Sequence, residues 1–168
     1  MAASLFVSVQ QGAVLRTCRD RVELRTERPL QIIDLTALVA ERVRRSGIRE
    51  GMVNVQSRHT TAAIVVNENE PLLLEDFEEA LERWAPREAA YRHNDLAARK
   101  AVPLGERPNG HAHARALLLP TSVCLNVGEG EVDLGAWQSV FLLELDGPRR
   151  RCVSIQVLGF APREAERA

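Results

Sequence analysis

Apolar residues recur along this chain in two rhythms, and the switches between them mark its elements. Leu5 to Gln10 and Val22 to Arg25 read as short strands separated by Gly12 and a polar segment. Leu35, Leu38, Val39 and Val43 then fall on one helical stripe, with Asp34 placed as an N-cap and Gly47 as the stop. Met52 to Gln56 returns to the strand pattern, and Ala62 to Val66 is a continuous apolar run suited to a buried strand. A second helix starts at Pro71, puts Leu73, Phe77, Leu81 and Trp84 on one face and ends before Pro86.

Residues 91–113 lose this periodicity and are punctuated by Pro103, Gly105, Pro108 and Gly110, a pattern of active-site loops and of connectors alike. Beyond them the chain reads as β: Arg115 to Leu119, Val123 to Val127, a turn at Gly128-Glu129-Gly130, Ser139 to Leu145 and Cys152 to Leu158, the last two joined as a hairpin through Gly147-Pro148. Many strands with two main helices predict one α+β domain over residues 1–168, built on a largely antiparallel curled sheet or sandwich.

Composition narrows the function classes. A net charge of -1 from 22 basic and 23 acidic residues gives no global field for nucleic acid or a membrane surface. Arg149-Arg150-Arg151 is the densest local basic spot. Cys18, Cys124 and Cys152 are odd in number and widely spaced, so reduced thiols and a cytoplasmic setting are expected. A P-loop, a dinucleotide fingerprint and a nucleophile elbow are all missing from the sequence.

The candidate chemistry is imidazole. All 4 histidines sit in polar surroundings: His59 in Ser-Arg-His-Thr-Thr, His93 in Tyr-Arg-His-Asn-Asp, and His111 and His113 in Asn-Gly-His-Ala-His. In an extended backbone residues i and i+2 share a face, so His111 and His113 are expected to point at one object, with His59 or His93 completing a metal set. Imidazole donors favour zinc or another transition metal over magnesium. Asn67 and Glu68 end the apolar strand, where Glu68 serves as a ligand or general base, or both residues simply form the turn before the helix. Asp95 either orients a histidine, binds metal or forms a turn. A glutamate in an apolar strand needs a basic partner, so Glu144 is paired with Arg149 or Arg151, unless one of those arginines binds phosphate instead.

Taken together, these blocks resemble the YjbQ-like family, which carries the label secondary thiamine-phosphate synthase. The resemblance rests on His59-Thr60-Thr61-Ala62-Ala63, Asn67-Glu68, Pro71, Asp76, Pro86, Tyr91-x-His93, Asn109-x-His111-Ala112-His113, Leu134-Gly135-x-Trp137-Gln138 and Glu144-x-Asp146-Gly147-Pro148-Arg149-x-Arg151. Arg58 and the Pro120-Thr121-Ser122 turn depart from its pattern.

The resemblance implies a trimer, with the histidines at a metal-capable site between subunits. It adds Asn109 and Gln138 to the catalytic candidates Glu68 and Asp95, and Asn67 to the phosphate-binding candidates Arg149 and Arg151. The implied reaction joins a hydroxymethylpyrimidine diphosphate to a thiazole phosphate and releases diphosphate. A metal-dependent hydrolase and a non-catalytic oligomeric binding protein are the competing readings.

Overall fold

A computed structural model describes residues 12–163, arranged as an α+β domain of two antiparallel sheets and three α-helices. In chain order the elements are β1 (Val14–Arg25), β2 (Gln31–Asp34), α1 (Thr36–Ser46), β3 (Glu50–Ser57), β4 (Ala62–Glu68), α2 (Pro71–Trp84), a 3-10 turn (Arg92–Asn94), α3 (Gly110–Leu118), β5 (Ser122–Gly128), β6 (Glu131–Val132), β7 (Gln138–Glu144) and β8 (Arg150–Ala161). The larger sheet has the order β1-β8-β3-β5-β6 and the smaller β2-β7-β4.

The sheets stack because their strands carry apolar side chains toward each other. Val53 and Val55 of β3 and Val153, Ile155 and Val157 of β8 meet Ala62 and Ile64 of β4, Val140 and Leu142 of β7, and Leu35, Val39 and Val43 at α1. The alternate residues of the small sheet, Ala63, Phe141 and Leu143, face a second core with Leu81 of α2 and Ala112 of α3. Burial on both faces explains why β4 and β7 read as continuous apolar runs rather than alternating ones.

α1 runs over the expected apolar stripe and stops at the expected glycine, but its N-cap is Leu35 without a side-chain cap bond, not Asp34, which stands one residue earlier. Asp34 Oδ1 accepts from the Thr36 amide at 2.7 Å, and Gly47 ends the helix at φ 69°. α2 is capped by Glu70, whose carboxylate accepts from the amides of Leu72 and Leu73.

Three expectations about these elements are corrected, and a fourth is not reached by the described residues. β1 is a single strand running to Arg25 from Val14, through the segment read as polar. Its inward Arg16, Cys18 and Asp20 are polar because they meet the polar side of α1, at the Ser46 carbonyl and Arg42. Arg115 to Leu119 is not a strand: residues 110–118 form α3. The His-Ala-His-Ala-Arg-Ala alternation imitates a strand, but alanine is the strongest helix former. β7 and β8 are not a hairpin, since they belong to different sheets and Gly147-Pro148 carries the chain across between them. The proposed strand at Leu5 to Gln10 lies outside the described residues.

Candidate functional site

Where the ends of β4, β7 and β8 meet the 91–113 segment, the chain builds two polar clusters side by side. The inner one is closed. Glu144 is fully buried and accepts from Thr26 Oγ1 at 2.8 Å, from the Asp146 amide at 2.8 Å and from Arg151 Nε at 2.6 Å, while Arg151 Nη2 contacts its other oxygen. Arg151 Nη2 also donates to the Thr61 carbonyl and hydroxyl, both at 3.0 Å. A carboxylate this deep survives as an ion pair only when its remaining lone pairs are filled, as here. Of the two arginines considered from sequence, Arg151 is therefore the one that satisfies Glu144.

The outer cluster surrounds a cavity of about 380 Å³, a size for a small molecule, among whose lining residues are His59, His93, His113, Arg99, Asn109 and Arg149. Arg58, Glu106 and Asp146 also border it. Asp146 is tied down by Arg149 Nη2 at 2.6 Å, by Asn109 Nδ2 at 2.9 Å and by Arg107.

α3 decides which histidines meet. Its first residue, Gly110, receives the 91–94 segment so closely that a Cβ there would lie 2.4 Å from Tyr91 Cβ. The Gly110 amide also donates to Asn94 Oδ1 at 2.8 Å. This docking sets the His93 and His113 rings edge to face, with centroids 4.7 Å apart. On a helix, residues two apart diverge by about 200°, so His111 and His113 do not share a face. His111 instead is buried toward Tyr91, at 6.5 Å between ring centroids, and does not line the cavity. Arg115, one turn on, is also buried and donates to the Ala85 carbonyl at the end of α2 and to Glu82.

Three imidazoles are held toward their neutral forms. His113 titrates below the usual histidine range because burial penalises its charge and His93 adds repulsion. Burial, then Arg151, does the same for His59, and burial, then Arg115, for His111. The proton on His59 can be placed. Its Nε2 accepts from the Cys152 backbone amide at 2.7 Å, and a backbone N–H only donates, so the ring proton sits on Nδ1.

The four-histidine metal set does not assemble in one chain. Among the described residues, no group of three or more His, Cys, Asp and Glu side chains is placed to hold a metal. His111 points away, and His59 has its free nitrogen occupied and its other nitrogen protonated as seated. His93 and His113 remain, one donor short of the three protein ligands usual for a catalytic zinc.

The other candidates divide by position. Asn109 and Arg149 line the cavity and Arg151 borders it from the closed cluster. Asp95 is exposed and accepts from the Ala98 amide at 3.1 Å, the turn-forming option. Asn67, Glu68 and Gln138 lie at the opposite end of the small sheet: Glu68 pairs with Gln138, whereas Ala62 pairs with Glu144 beside the cavity. Six residues of strand put about 20 Å between those ends. There Asn67 Oδ1 accepts from the Glu68 amide and Gln138 Oε1 from the Gly135 amide, both turn contacts. Glu106, Asp146, Arg58 and Arg99 were not among the sequence candidates. Asp146 and Arg149, three residues apart around Gly147-Pro148, carried a usable signal as an acid–base pair across a turn; Glu106 and Arg99 sit in aperiodic loop and carried none.

The family model described as UPF0047 protein YjbQ-like matches residues 20–160. The chain belongs to the YjbQ-like (UPF0047) family. A UPF0047 protein of Methanothermobacter thermautotrophicus is 42% identical over 148 residues, covering 88% of this chain and 96% of its own. One from Archaeoglobus fulgidus is 41% identical, covering 80% and 97%. The crystal structure of a YbjQ-like protein of unknown function from Sulfolobus solfataricus superposes with a TM-score of 0.78 at 33% identity, over 86% of this chain and 99% of that one. A hypothetical protein from Aeropyrum pernix gives a TM-score of 0.75 at 35% identity, over 84% and 98%. The fold and family are thus those the sequence motifs implied.

Proposed function

We propose that this YjbQ-like protein is an enzyme acting on a small phosphorylated, heterocyclic substrate bound in the cavity of His59, His93, His113, Arg99, Asn109 and Arg149. The observation that carries this reading is the pairing of neutral imidazole with guanidinium around one small-molecule-sized space. Arg58, Arg99 and Arg149 supply fixed positive charge where phosphate oxygens gather charge as a bond to them breaks. His113, neutral and beside His93, accepts or passes a proton, and His59 offers its Nδ1–H as a donor.

The specific reaction that the family resemblance suggests is thiamine-phosphate synthesis. The thiazole nitrogen forms a bond to the methylene carbon of the pyrimidine as the carbon–oxygen bond to diphosphate breaks. The electron pair leaves on diphosphate, and the arginines meet that charge. The chemistry balances without a base. A divalent metal would share the charge of the departing diphosphate, but the side chains of one chain do not make a complete site for it, so no step is assigned to one. A metal held by His93 and His113 needs further donors from a second copy of the chain or from the substrate, in keeping with the trimer suggested by the resemblance.

A second reading, hydrolysis of a phosphate ester, is favoured by the neutral state of His113, since water activation uses an imidazole base. Purified protein given both thiamine precursors separates the two. The synthase forms thiamine phosphate only when both are present, whereas the hydrolase releases phosphate or diphosphate from one alone. No turnover in either assay, with each divalent metal supplied, leaves the non-catalytic binding protein. Elemental analysis of protein prepared without a metal-affinity step tests the metal: a bound transition metal that disappears in His93→Ala and His113→Ala places it on that pair.

A further inference from the structure

Arg149-Arg150-Arg151 is the densest basic spot of the sequence, and the two polar clusters employ only two of its members. Arg151 satisfies Glu144 and Arg149 borders the histidine cavity, whereas Arg150 belongs to neither. It lines instead a separate cavity of about 260 Å³, formed by Arg25, Pro148, Arg149 and Arg150. Among the described residues, three guanidinium groups and no carboxylate line this space.

The arrangement carries a local electrostatic cost. Arg25 of β1 and Arg150 of β8 stand directly opposite each other in the antiparallel ladder, and both are exposed. Residues so paired leave one face of the sheet with Cβ atoms about 5 Å apart, where like charges repel. Among the described residues neither guanidinium pairs with a carboxylate, and Glu23, two positions along that face, stands opposite Cys152. Arg149 is fixed beside them. Asp146 Oδ2 accepts from its Nε at 2.8 Å and from its Nη2 at 2.6 Å. Thr26 donates its amide to the Arg149 carbonyl at 2.9 Å, and its hydroxyl accepts from the Arg149 amide at 2.8 Å. One pre-oriented guanidinium with two that repel each other complements an anion of several oxygens, and the arginine fork matches phosphate. The space is below the roughly 300–1,000 Å³ usual for organic ligands, which suits a phosphate group.

We infer that this arginine cavity is a phosphate-binding site of its own, distinct from the histidine cavity and joined to it by Arg149, which lines both. The site requires neither the substrate nor the reaction proposed above. Its phosphate comes from one of two sources: free inorganic phosphate, or the far end of a phosphate chain whose other end lies in the histidine cavity. In both cases Arg25 and Arg150 close on the anion, and their mutual repulsion is relieved.

Titration calorimetry on the full chain at about 0.15 M salt, with inorganic phosphate and inorganic triphosphate as probes, tests this. Replacing Arg25 and Arg150 together by alanine is expected to weaken at least one probe roughly tenfold or more, the loss due for charge-assisted bonds. A control variant replaces Arg19 and Arg21, exposed on the same face of β1 but about 13–20 Å along the strand. Their charges are screened over that distance, so the control is expected to lose less than about twofold. Free phosphate is the source where the loss appears with phosphate and persists in an Arg99→Ala background. A shared chain is the source where it appears with triphosphate alone and Arg99→Ala weakens triphosphate as well. Affinities indifferent to Arg25 and Arg150, or an equal loss in the control, overturn the inference. Melting gives a second reading: Arg150→Ala without anion is expected to melt no lower than the unaltered protein, since repulsion with Arg25 is relieved. The probe that showed the loss is expected to raise the unaltered melting temperature more than that of Arg150→Ala, and equal shifts overturn the inference. Phosphate bound here without turnover in the assays above leaves this site standing while the proposed function falls. Turnover with both probes indifferent to Arg25 and Arg150 does the reverse.

Discussion

Two polar clusters stand side by side at the same end of this molecule and differ in one respect: the inner is complete and the outer is not. Around Glu144, Thr26, the Asp146 amide and Arg151 meet the buried carboxylate on both oxygens, and Arg151 also donates to Thr61. Around the cavity, Asn109 and Arg99 each keep a buried polar atom with no partner. The sequence draws on the same residue types for both, with Glu144, Asp146, Arg149 and Arg151 within eight positions of one another. Completeness separates scaffold from site. A closed network holds loops in place, whereas the outer cluster borders a space of small-molecule size.

The largest expected effect lies on the closed side. Glu144→Ala leaves Arg151 charged and unpaired in the interior and is expected to cost about 3–5 kcal/mol of stability, read by chemical denaturation. A loss below about 1 kcal/mol would mean that the inner cluster is not the scaffold described. On the open side the order reverses. His113→Ala is expected to lower turnover by roughly 10²–10⁴-fold, the usual contribution of a positioned acid–base group, with stability nearly unchanged because the ring is only half buried.

The pH dependence sharpens the contrast further. His59, His111 and His113 resist protonation in the folded chain more than they do when unfolded. The unfolded state therefore binds more protons as pH falls through about 6.5. Stability is fully present above that pH and declines below it, and a melting temperature followed from pH 8 to pH 5 should fall. His111 faces Arg115, Arg87, Asp146 and Glu82, and His113 faces His93, Asp146, Glu106 and Arg99, so nearby carboxylates moderate the fall. A phosphorylated ligand in the cavity should flatten the decline if it shields the imidazoles of that site.

The smallest effect is expected far from both clusters. Asn67→Ala, Glu68→Gln and Gln138→Ala should change ligand affinity less than about twofold, given the roughly 20 Å of strand that separates them from the cavity of their own chain. A larger loss would show that this end of the small sheet serves the cavity of a second copy.

How much of this was legible beforehand follows from the physics of each signal. β4, β7, β8, α1 and α2 were readable because burial imposes a period on apolar residues. α3 was not, since alternating histidine and alanine carry the strand period while alanine's backbone preference carries the helix. That one misreading sent His111 and His113 toward a common target and hid the pairing of His93 with His113. β1 was cut short because its inward arginine and aspartate are satisfied by α1, which no local pattern reveals. The motif blocks did gather His59, His93, His113, Asn109 and Arg149 at one cavity. Arg99 and Glu106 came from loop sequence, where position is set by tertiary contacts alone.

The cavity lined by His59, His93, His113, Arg99, Asn109 and Arg149 is where ligand is expected to bind. A crystal structure of the protein soaked with hydroxymethylpyrimidine diphosphate tests this most directly. Phosphate against Arg58, Arg99 or Arg149, with the ring beside His93 and His113, is the expected result. A compound seated on another surface, with this cavity left empty, would contradict it.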